Sequence, residues 1–288
     1  MINEEIKAYL PEILHPYFAS DTEEIRFRRN QKVMFLSATE ETISPVLCDK
    51  LFLEELLDRL TKSSPYTYFD EMKNGYFTLE GGHRVGVCGT GVYQNGTLSD
   101  IREISSLNFR IAKEINGCAD PLFPLLQQEK LPGILLISPP GCGKTTLLRD
   151  LTRQASDSRA GSKVAVIDER SELGGVYRGA SQKDLGMRTD ILNGYHKPDG
   201  IQRAVRSLSP NLIVVDEIGS AEDIEALLCA AYAGITIFAT VHGDIQGDFK
   251  KKIKKLEEEQ VFDYYIYLSA KNPKNRIEVI RTREEETQ

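Results

Sequence analysis

A glycine-rich turn from Ser138 to Thr146, SPPGCGKTT, carries the strongest chemical signal in the sequence. It follows a short apolar run, GILLI, and precedes LLRDLTRQ, which has the apolar spacing of a helix. Gly141 and Gly143 allow backbone N–H groups to close around phosphate oxygens, and the N-terminus of the following helix favours an anion there. Strand, glycine-rich turn and helix form the context of a P-loop. The turn therefore predicts a site for the phosphates of a nucleotide.

Two residues of this loop have specific predicted roles. Lys144 is expected to reach the β- and γ-phosphates, and the Thr145 hydroxyl is expected to ligate Mg²⁺. The P-loop consensus begins with glycine, where this chain has Ser138. The remaining G-x-G-K-T-T still predicts ATP binding. The residues predicted to contact the nucleotide are Pro140, Gly141, Cys142, Gly143, Lys144, Thr145 and Thr146.

A second motif is NLIVVDEIG, from Asn211 to Gly219, in which an apolar run ends in two acids. This is a Walker B pattern. Asp216 is predicted to lie beside Mg²⁺, and Glu217 to orient and deprotonate the attacking water. Acids also occur at strand ends for structural reasons, and that alternative remains. The glutamate favours an ATPase over a small-molecule kinase, because a kinase must keep water out of its site.

A third motif, KVAVIDERSELGG, places three carboxylates at the end of another apolar run. Asp168, Glu169 and Glu172 are expected to face the crevice beyond the carboxyl ends of the strands. Asp168 is predicted to join the metal shell, and the two glutamates to act as further catalytic groups. The structural alternative is a helix-capping cluster, with Ser171 and Glu172 opening a turn.

A fourth apolar run, GITIFATVH, ends in His242. This histidine is predicted to sense the γ-phosphate or to relay its loss to a neighbouring subunit, with a merely structural histidine as the alternative. A γ-phosphate site completed by a neighbour also needs an arginine in trans. The candidates for it, each of which could equally be a surface arginine, are Arg84, Arg102, Arg110, Arg203 and Arg206.

These motifs need a sheet that brings strand ends together. The four apolar runs alternate with helical segments, which predicts a doubly wound α/β domain with a parallel sheet. Residues 1–115 instead predict a small α/β domain, with a hairpin turn at Arg29–Gln31 and a helix over Leu51–Leu60. At about 150 residues per domain, two domains fit the length, and we predict domains of 1–115 and 116–288.

The net charge of the chain argues against one class of function, nucleic-acid binding. The chain has 288 residues and a net charge of −7, which argues against a general nucleic-acid binder. The basic run KKKIKK, Lys250–Lys255, is predicted to be a solvated helix face rather than a membrane or nucleic-acid patch.

Cysteine usage and hydropathy predict the compartment. Five cysteines without a C-x-x-C pair suggest neither a disulfide framework nor a zinc site, and favour the cytosol. The acidic start does not resemble a secretory signal. The uncharged stretch between Glu225 and His242 is shorter than a span of roughly 18 to 20 apolar residues. Any membrane role is therefore expected to be peripheral.

The order of the four motifs resembles that of the type II/IV secretion ATPase superfamily, which includes pilus motors. The segment EEIRFRRNQKVMF resembles the first hairpin of that superfamily's N-terminal domain. More narrowly, IREISSLNFRIAKEINGCAD, VIDERSELGG and DLGMRTDIL resemble a sporulation family, the stage III AA proteins, over nearly the whole chain.

The resemblance implies a RecA-like P-loop NTPase domain preceded by the small domain, in a homo-oligomer, a hexameric ring. It implies a cytoplasmic ATPase on the mother-cell side, peripheral at the inner face of the membrane. Its partners would be membrane-bound components of a channel between mother cell and forespore. In that superfamily the second motif is called the Asp box and the fourth the His box. The site roles carry over to Lys144 and Thr145, to Glu217 and to Arg206, to the Asp-box acids Asp168, Glu169 and Glu172, and to His242 of the His box.

The sequence thus predicts an ATP hydrolase that uses ATP and Mg²⁺. The main alternative is a nucleic-acid motor or loader of the AAA+ type, because a fold does not decide a function. A nucleotide-gated scaffold and a P-loop kinase remain as further alternatives.

Overall fold

The computed structural model describes residues 2–62, 64–73, 75–112, 115–158, 161–243, 250–269 and 277–286. The chain divides into two compact units. Unit 1 comprises Met1–Lys113 and Gly175–Gln182, and unit 2 comprises Glu114–Gly174 and Lys183–Gln288.

Unit 1 is built around an antiparallel sheet. Its helices and strands are α1 (Ile2–Tyr9), β1 (Glu24–Arg28), β2 (Gln31–Leu36), β3 (Glu41–Cys48), α2 (Lys50–Leu60), α3 (Phe69–Lys73), β4 (Tyr76–Thr78), β5 (Arg84–Gln94) and β6 (Thr97–Arg110). In the described residues of this unit, six strands follow the order β3-β2-β1-β6-β5-β4. The predicted hairpin is present, with Arg26 opposite Met34. The predicted helix is α2, which buries Leu53, Leu56 and Leu60 in the core.

The segment Gly175–Gln182 lies in sequence within the predicted second domain but packs with unit 1. The hydroxyl groups of Tyr177 and Tyr68 are 3.0 Å apart. The Gly81 N–H donates to Oε1 of Gln182 at 2.8 Å. These contacts join residues about a hundred positions apart, so local sequence patterns do not reveal them.

Unit 2 contains the motifs with predicted chemistry. Its elements are α4 (Phe123–Leu126), β7 (Ile134–Ser138), α5 (Lys144–Asp157), β8 (Val164–Asp168), β9 (Thr189–Asn193), α6 (Lys197–Ser207), β10 (Leu212–Val215), α7 (Ala221–Tyr232), β11 (Thr236–His242), α8 (Lys250–Glu258), β12 (Tyr264–Leu268), β13 (Ile277–Thr282) and α9 (Arg283–Glu286). None of the helices in the described ranges is long and apolar enough to cross a membrane.

The sheet of unit 2 is parallel, as predicted, apart from one edge strand. In the described residues its order is β13-β12-β7-β11-β10-β8-β9, and only β13 runs antiparallel to its neighbour. The strands β7, β8 and β10 are buried along their whole length. Leu135 and Ile137 pack in one core layer with α6, α7 and α8, while Ile134 and Leu136 pack with α5 in the other. Helices on both faces leave the strand ends as the open edge of the sheet.

Two strands go beyond the sequence predictions. β9 lies in the polar stretch after Gly174, and its side chains are only partly buried or exposed, so it lacks a continuous apolar run. β12, with the sequence YYIYL, pairs in parallel with β7 over Tyr264–Tyr267. Together with β13 it extends the sheet on the side away from β8 and β9.

Candidate active site

The P-loop joins the end of β7 to the start of α5. Ser138 is the last residue of β7, and Lys144 is the first residue of α5. Gly141 and Gly143 have φ values of +77° and +89°, in the left-handed region that favours glycine. A Cβ atom on Gly141 would meet nothing within 4 Å, so its conformation rather than crowding requires glycine there. Cys142 is buried, with its Sγ atom 3.8 Å from the Pro140 carbonyl oxygen.

The Lys144 ammonium group is buried at the centre of the site, with the residue 7% exposed. It donates to the carbonyl oxygens of Ser138 at 2.8 Å and Pro139 at 3.2 Å. It also lies 3.1 Å from Nδ1 of His242. Burial lowers the pKa of Lys144, and the nearby acidic groups oppose that shift. A buried cation so close to the loop suits the binding of an anion.

A hydroxyl and a carboxylate lie side by side next to this lysine. Thr145 Oγ1 donates to Oδ2 of Asp216 at 2.8 Å. Thr240 Oγ1 donates to the other oxygen of Asp216, Oδ1, at 2.6 Å. Mg²⁺ prefers hard oxygen ligands. The Thr145 hydroxyl and the Asp216 carboxylate therefore supply the kind of oxygen ligand that fits this ion.

Glu217, which follows Asp216, contacts two nitrogen-bearing side chains. Its Oε1 atom is 3.0 Å from Nε2 of His242, and its Oε2 atom is 3.1 Å from Nη1 of Arg170. Its backbone has a φ of +51°, a strained conformation for a residue with a side chain. The carboxylate is 38% exposed, so water can reach it.

Asp168 organises the loop that follows β8. It is 1% exposed. Its Oδ1 accepts N–H groups from Glu172 at 2.8 Å and Leu173 at 3.2 Å, and its Oδ2 accepts from Leu173 at 3.1 Å and Gly174 at 2.8 Å. Burial raises the pKa of Asp168, against the effect of these N–H groups. A carboxylate has about four acceptor sites, and the three N–H groups of the loop make four contacts with them. The structure thus gives Asp168 a structural task in this loop, and its place in the metal shell stays a prediction.

The two glutamates of the same motif also have local partners. Glu169 binds Nδ1 of His196 at 2.7 Å and Nζ of Lys197 at 2.6 Å. Burial alone would raise the pKa of Glu169, but these two partners lower it. The carbonyl oxygen of Glu172 accepts from Arg149 Nη2 at 2.8 Å. Glu169 thereby connects the end of β8 to the start of α6, and Arg149 connects the loop to α5.

The structure does not bring the predicted trans arginine Arg206 to the P-loop edge of its own subunit. Arg206 lies in the last turn of α6, which leads to the amino end of β10, and lines a groove of about 370 Å³ between α6 and α7. The other candidates lie as follows: Arg84 over the Tyr76 ring at 4.7 Å, Arg102 beside Asp100 at 3.1 Å, Arg203 over the Tyr195 ring at 5.6 Å, and Arg110 exposed at the end of β6.

The predicted basic run forms the start of α8. Ile253 and Leu256 anchor this helix in the core of unit 2. Lys254 lies 3.5 Å from Glu258, and Lys255 lies 3.9 Å from Glu225. These ion pairs support the solvated helix face that the sequence predicted.

Three residues of the site were missed by the sequence analysis: Thr240, Arg170 and Arg149. Each lies inside a motif or helix that was recognised, but its partner is 23 to 47 positions away. The sequence does place Thr240 two positions before the strand-end His242, and Arg170 between two acids. Neither pattern identifies the residue to which the side chain binds.

Comparisons with known proteins agree with this architecture. The sequence model of the family described as "Sporulation stage III, protein AA" matches residues 5–287. The stage III sporulation protein AA of Bacillus subtilis is 39% identical over 279 residues, which are 95% of this chain and 91% of that protein. The protein SEEDLING PLASTID DEVELOPMENT 1 of Arabidopsis thaliana is 32% identical over 146 residues, 49% of this chain and 20% of that protein.

Solved structures of secretion and pilus ATPases share the fold. The pilus retraction motor PilT, solved with bound ADP, matches with a TM-score of 0.62 at 17% identity, covering 90% of this chain and 78% of that one. The ATPase DotB of Legionella pneumophila matches with a TM-score of 0.60 at 14% identity, covering 86% and 72%. At these identities the likeness establishes the fold, a RecA-like unit with an N-terminal unit of antiparallel sheet.

Proposed function

The chain belongs to the sporulation stage III, protein AA family, and from that premise we propose that it is a Mg²⁺-dependent ATPase of the secretion-motor type. One observation carries the proposal. The P-loop lysine, Lys144, and the strand-end acid Glu217 are joined through His242 at the edge of the sheet where Thr145 meets Asp216. The groups that we propose to bind phosphate, to bind the metal ion and to activate water thus lie together.

The first step in the proposed mechanism is binding of the phosphates. Backbone N–H groups of the loop and the Lys144 ammonium hold phosphate oxygens, so Lys144 exchanges carbonyl partners for the nucleotide. Thr145 and Asp216 would hold Mg²⁺. When bound, the ion would supply positive charge that offsets the negative charge of the phosphate oxygens.

The second step is the attack of water. Glu217 takes a proton from the attacking water as the water oxygen bonds to the γ-phosphorus. At the same time the bond between the γ-phosphorus and the bridging oxygen breaks, and that oxygen leaves with ADP. The exposed carboxylate and its fixed backbone suit this role. His242 connects the carboxylate to Lys144 and reports the state of the phosphate site to the base.

The surrounding residues keep supporting roles. Asp168 holds the loop after β8, Glu169 positions the start of α6, and the Glu172 carbonyl oxygen holds the loop to Arg149 of α5. Arg206 is proposed to act in trans, because it faces outward on α6 and lines a surface groove. Pro140, Cys142 and Thr146 shape the phosphate loop and the first turn of its helix.

At the level of the cell, we propose a hexameric ring on the cytoplasmic side of the mother-cell membrane. Hydrolysis in this ring would energise membrane-bound components of a channel between mother cell and forespore. The family match supports the sporulation setting, and the fold supports a secretion-type motor. The alternative is a nucleic-acid motor or loader of the AAA+ type. The ion pairs at Lys254 and Lys255 weigh against it, because they reduce the free positive charge.

The proposal is tested by ATP turnover per subunit, measured over a range of protein concentrations with Mg²⁺ and with excess EDTA. We expect turnover that requires Mg²⁺ and climbs steeply with concentration, because a ring shares its sites. Turnover that stays flat down to concentrations at which the protein is monomeric by sedimentation would contradict the ring. DNA-stimulated turnover that weakens with salt would favour the alternative.

A further inference from the structure

Thr240 occupies the centre of the proposed site without belonging to any predicted role. It lies in β11, between β7 and β10, and its side chain is fully buried. Ala239, the residue before it, pairs with Val215, the last residue of β10. Thr240 therefore stands next to the point where β10 ends and its two acids begin.

The Thr240 hydroxyl fixes the orientation of Asp216. It donates to Oδ1 of Asp216 at 2.6 Å, while Thr145 donates to Oδ2 at 2.8 Å. With Oδ1 engaged, the carboxylate cannot turn about its bond to Cβ without breaking a short, partly buried hydrogen bond. Oδ2 is thereby kept on the side of the P-loop hydroxyl.

The same hydroxyl also fixes the backbone of Glu217. It accepts the Glu217 N–H at 2.8 Å, and the Thr240 carbonyl accepts the Ile218 N–H at 2.8 Å. Glu217 has a φ of +51°, which costs energy and needs support from its surroundings. Two hydrogen bonds from one residue provide that support. They set the direction in which the Glu217 side chain leaves the strand.

We propose that Thr240 is a positioning residue that sets the metal-side acid Asp216 and the water-activating acid Glu217 at once. The inference rests on the proposed ATPase function and adds a residue to it. A hydroxyl is required because it donates to one acid and accepts from the next, which no apolar side chain of this size can do. Serine keeps both functions, whereas valine keeps only the shape.

The test is steady-state ATP hydrolysis by the wild type and by the variants Thr240→Ser and Thr240→Val, with Mg²⁺ titrated in each. Loss of a partner that orients a metal ligand typically costs 10- to 100-fold in activity or metal affinity. We therefore expect Thr240→Val to lower kcat roughly 10- to 100-fold and to raise the Mg²⁺ concentration for half-maximal rate. Binding of ATP without Mg²⁺ should change less than about threefold, and Thr240→Ser should restore both parameters.

Thr236→Val is the matched control. Thr236 lies in the same strand and donates its hydroxyl to the Leu131 carbonyl oxygen at 3.1 Å, at the far end from the site. Its kcat and Mg²⁺ requirement should stay at wild-type values. Circular dichroism and thermal melting check the fold, and Thr240→Ala replaces Thr240→Val if the latter does not fold.

The outcomes separate the inference from the function on which it rests. An active wild type with an equally active Thr240→Val variant and an unchanged Mg²⁺ requirement would overturn the role of Thr240 and leave the ATPase proposal standing. A well-folded wild type without any Mg²⁺-dependent turnover would overturn both. A Thr240→Ser variant as impaired as Thr240→Val would also overturn the inference, because the hydroxyl would then not be the group that matters.

Discussion

Nε2 of His242 lies 3.0 Å from Oε1 of Glu217, so the imidazole and the carboxylate form a pair at the edge of the sheet. The other ring nitrogen, Nδ1, faces the Lys144 ammonium at 3.1 Å. An ammonium group can only donate, so Nδ1 accepts and Nε2 carries the hydrogen that Glu217 accepts. The histidine thus links the lysine proposed to bind phosphate to the acid proposed to activate water.

This link predicts the effect of replacing His242. His242→Ala should lower kcat for ATP hydrolysis roughly tenfold or more, because Glu217 loses a hydrogen-bond donor that orients it. The affinity for ATP should change little, because Lys144 and the loop remain. His242→Gln, which can still donate to Glu217, should lose less. Rapid-quench hydrolysis and equilibrium nucleotide binding measure the two quantities, and a His242→Ala variant with wild-type kcat would contradict this role.

The loop after β8 should depend on Asp168. In Asp168→Asn the NH₂ group replaces one carboxylate oxygen and faces the N–H of Gly174 or, in the other amide orientation, that of Glu172, so at least one donor of the loop loses its acceptor. We expect a loss of about 1–3 kcal/mol in the free energy of unfolding. Urea denaturation measures it. Asp199→Asn, at an exposed position of the same unit, is the control and should cost much less. Equal losses in the two variants would contradict the structural task of Asp168.

Asp150 in α5 predicts a pH dependence. Burial alone would raise the pKa of Asp150, but the Ala119 N–H and the Arg153 guanidinium together hold it below its ordinary value. A carboxyl group with a lowered pKa stabilises the fold above its unfolded pKa, about 3.9, and loses that contribution as pH falls through the folded pKa. Asp150→Asn should therefore be less stable by about 1–3 kcal/mol at pH 7.

The gap between wild type and Asp150→Asn should narrow below about pH 4. Urea unfolding at pH 7, 5 and 3.5 measures it, with Asp199→Asn again as the comparison. A gap of constant size across this range would mean that the charge of Asp150 does not contribute.

The cysteines predict an order of alkylation. Burial raises the pKa of Cys48 to about 12 and of Cys118 to about 11, so both are thiols near neutral pH. Cys88 and Cys229 are exposed. Because the thiolate is the reactive form, N-ethylmaleimide at pH 7.5 should modify Cys88 and Cys229 first and Cys48 at least about 100-fold more slowly. Mass spectrometry of digests gives the order, and early labelling of Cys48 would show that its surroundings open readily.

The features that the sequence predicted well are local ones. The P-loop is a contiguous turn between an apolar run and a helix, so the positions of Gly143 and Lys144 follow from neighbours in sequence. The parallel strands were recognisable because strands buried on both faces carry unbroken apolar runs. The edge strand β9 has no such run and was missed.

The features that escaped sequence analysis depend on long-range pairing. The hydroxyl of Thr240 contacts Asp216 because β10 and β11 pair in parallel with Val215 opposite Ala239. That pairing cannot be read from the sequence of either strand alone. Asp168 was predicted to be a metal ligand because an acid ends a strand there, and that pattern did not indicate its hydrogen bonds to the backbone of its own loop. Residue type and local pattern limit the chemical roles that a side chain can have. The contacts formed in the fold then decide which of those roles it has.

One site, built on the P-loop and the end of β10, is proposed to bind and hydrolyse ATP. The most direct test measures Mg²⁺-dependent ATP hydrolysis and nucleotide binding for the wild type, Lys144→Ala and Glu217→Gln. Lys130→Ala and Glu129→Gln, at exposed positions of the same unit, are the matched controls. We predict that Lys144→Ala loses binding and turnover, that Glu217→Gln binds ATP but turns over at least about 100-fold more slowly, and that both controls behave as wild type. A Lys144→Ala variant that binds and hydrolyses ATP at the wild-type rate would show that this loop is not the ATP site.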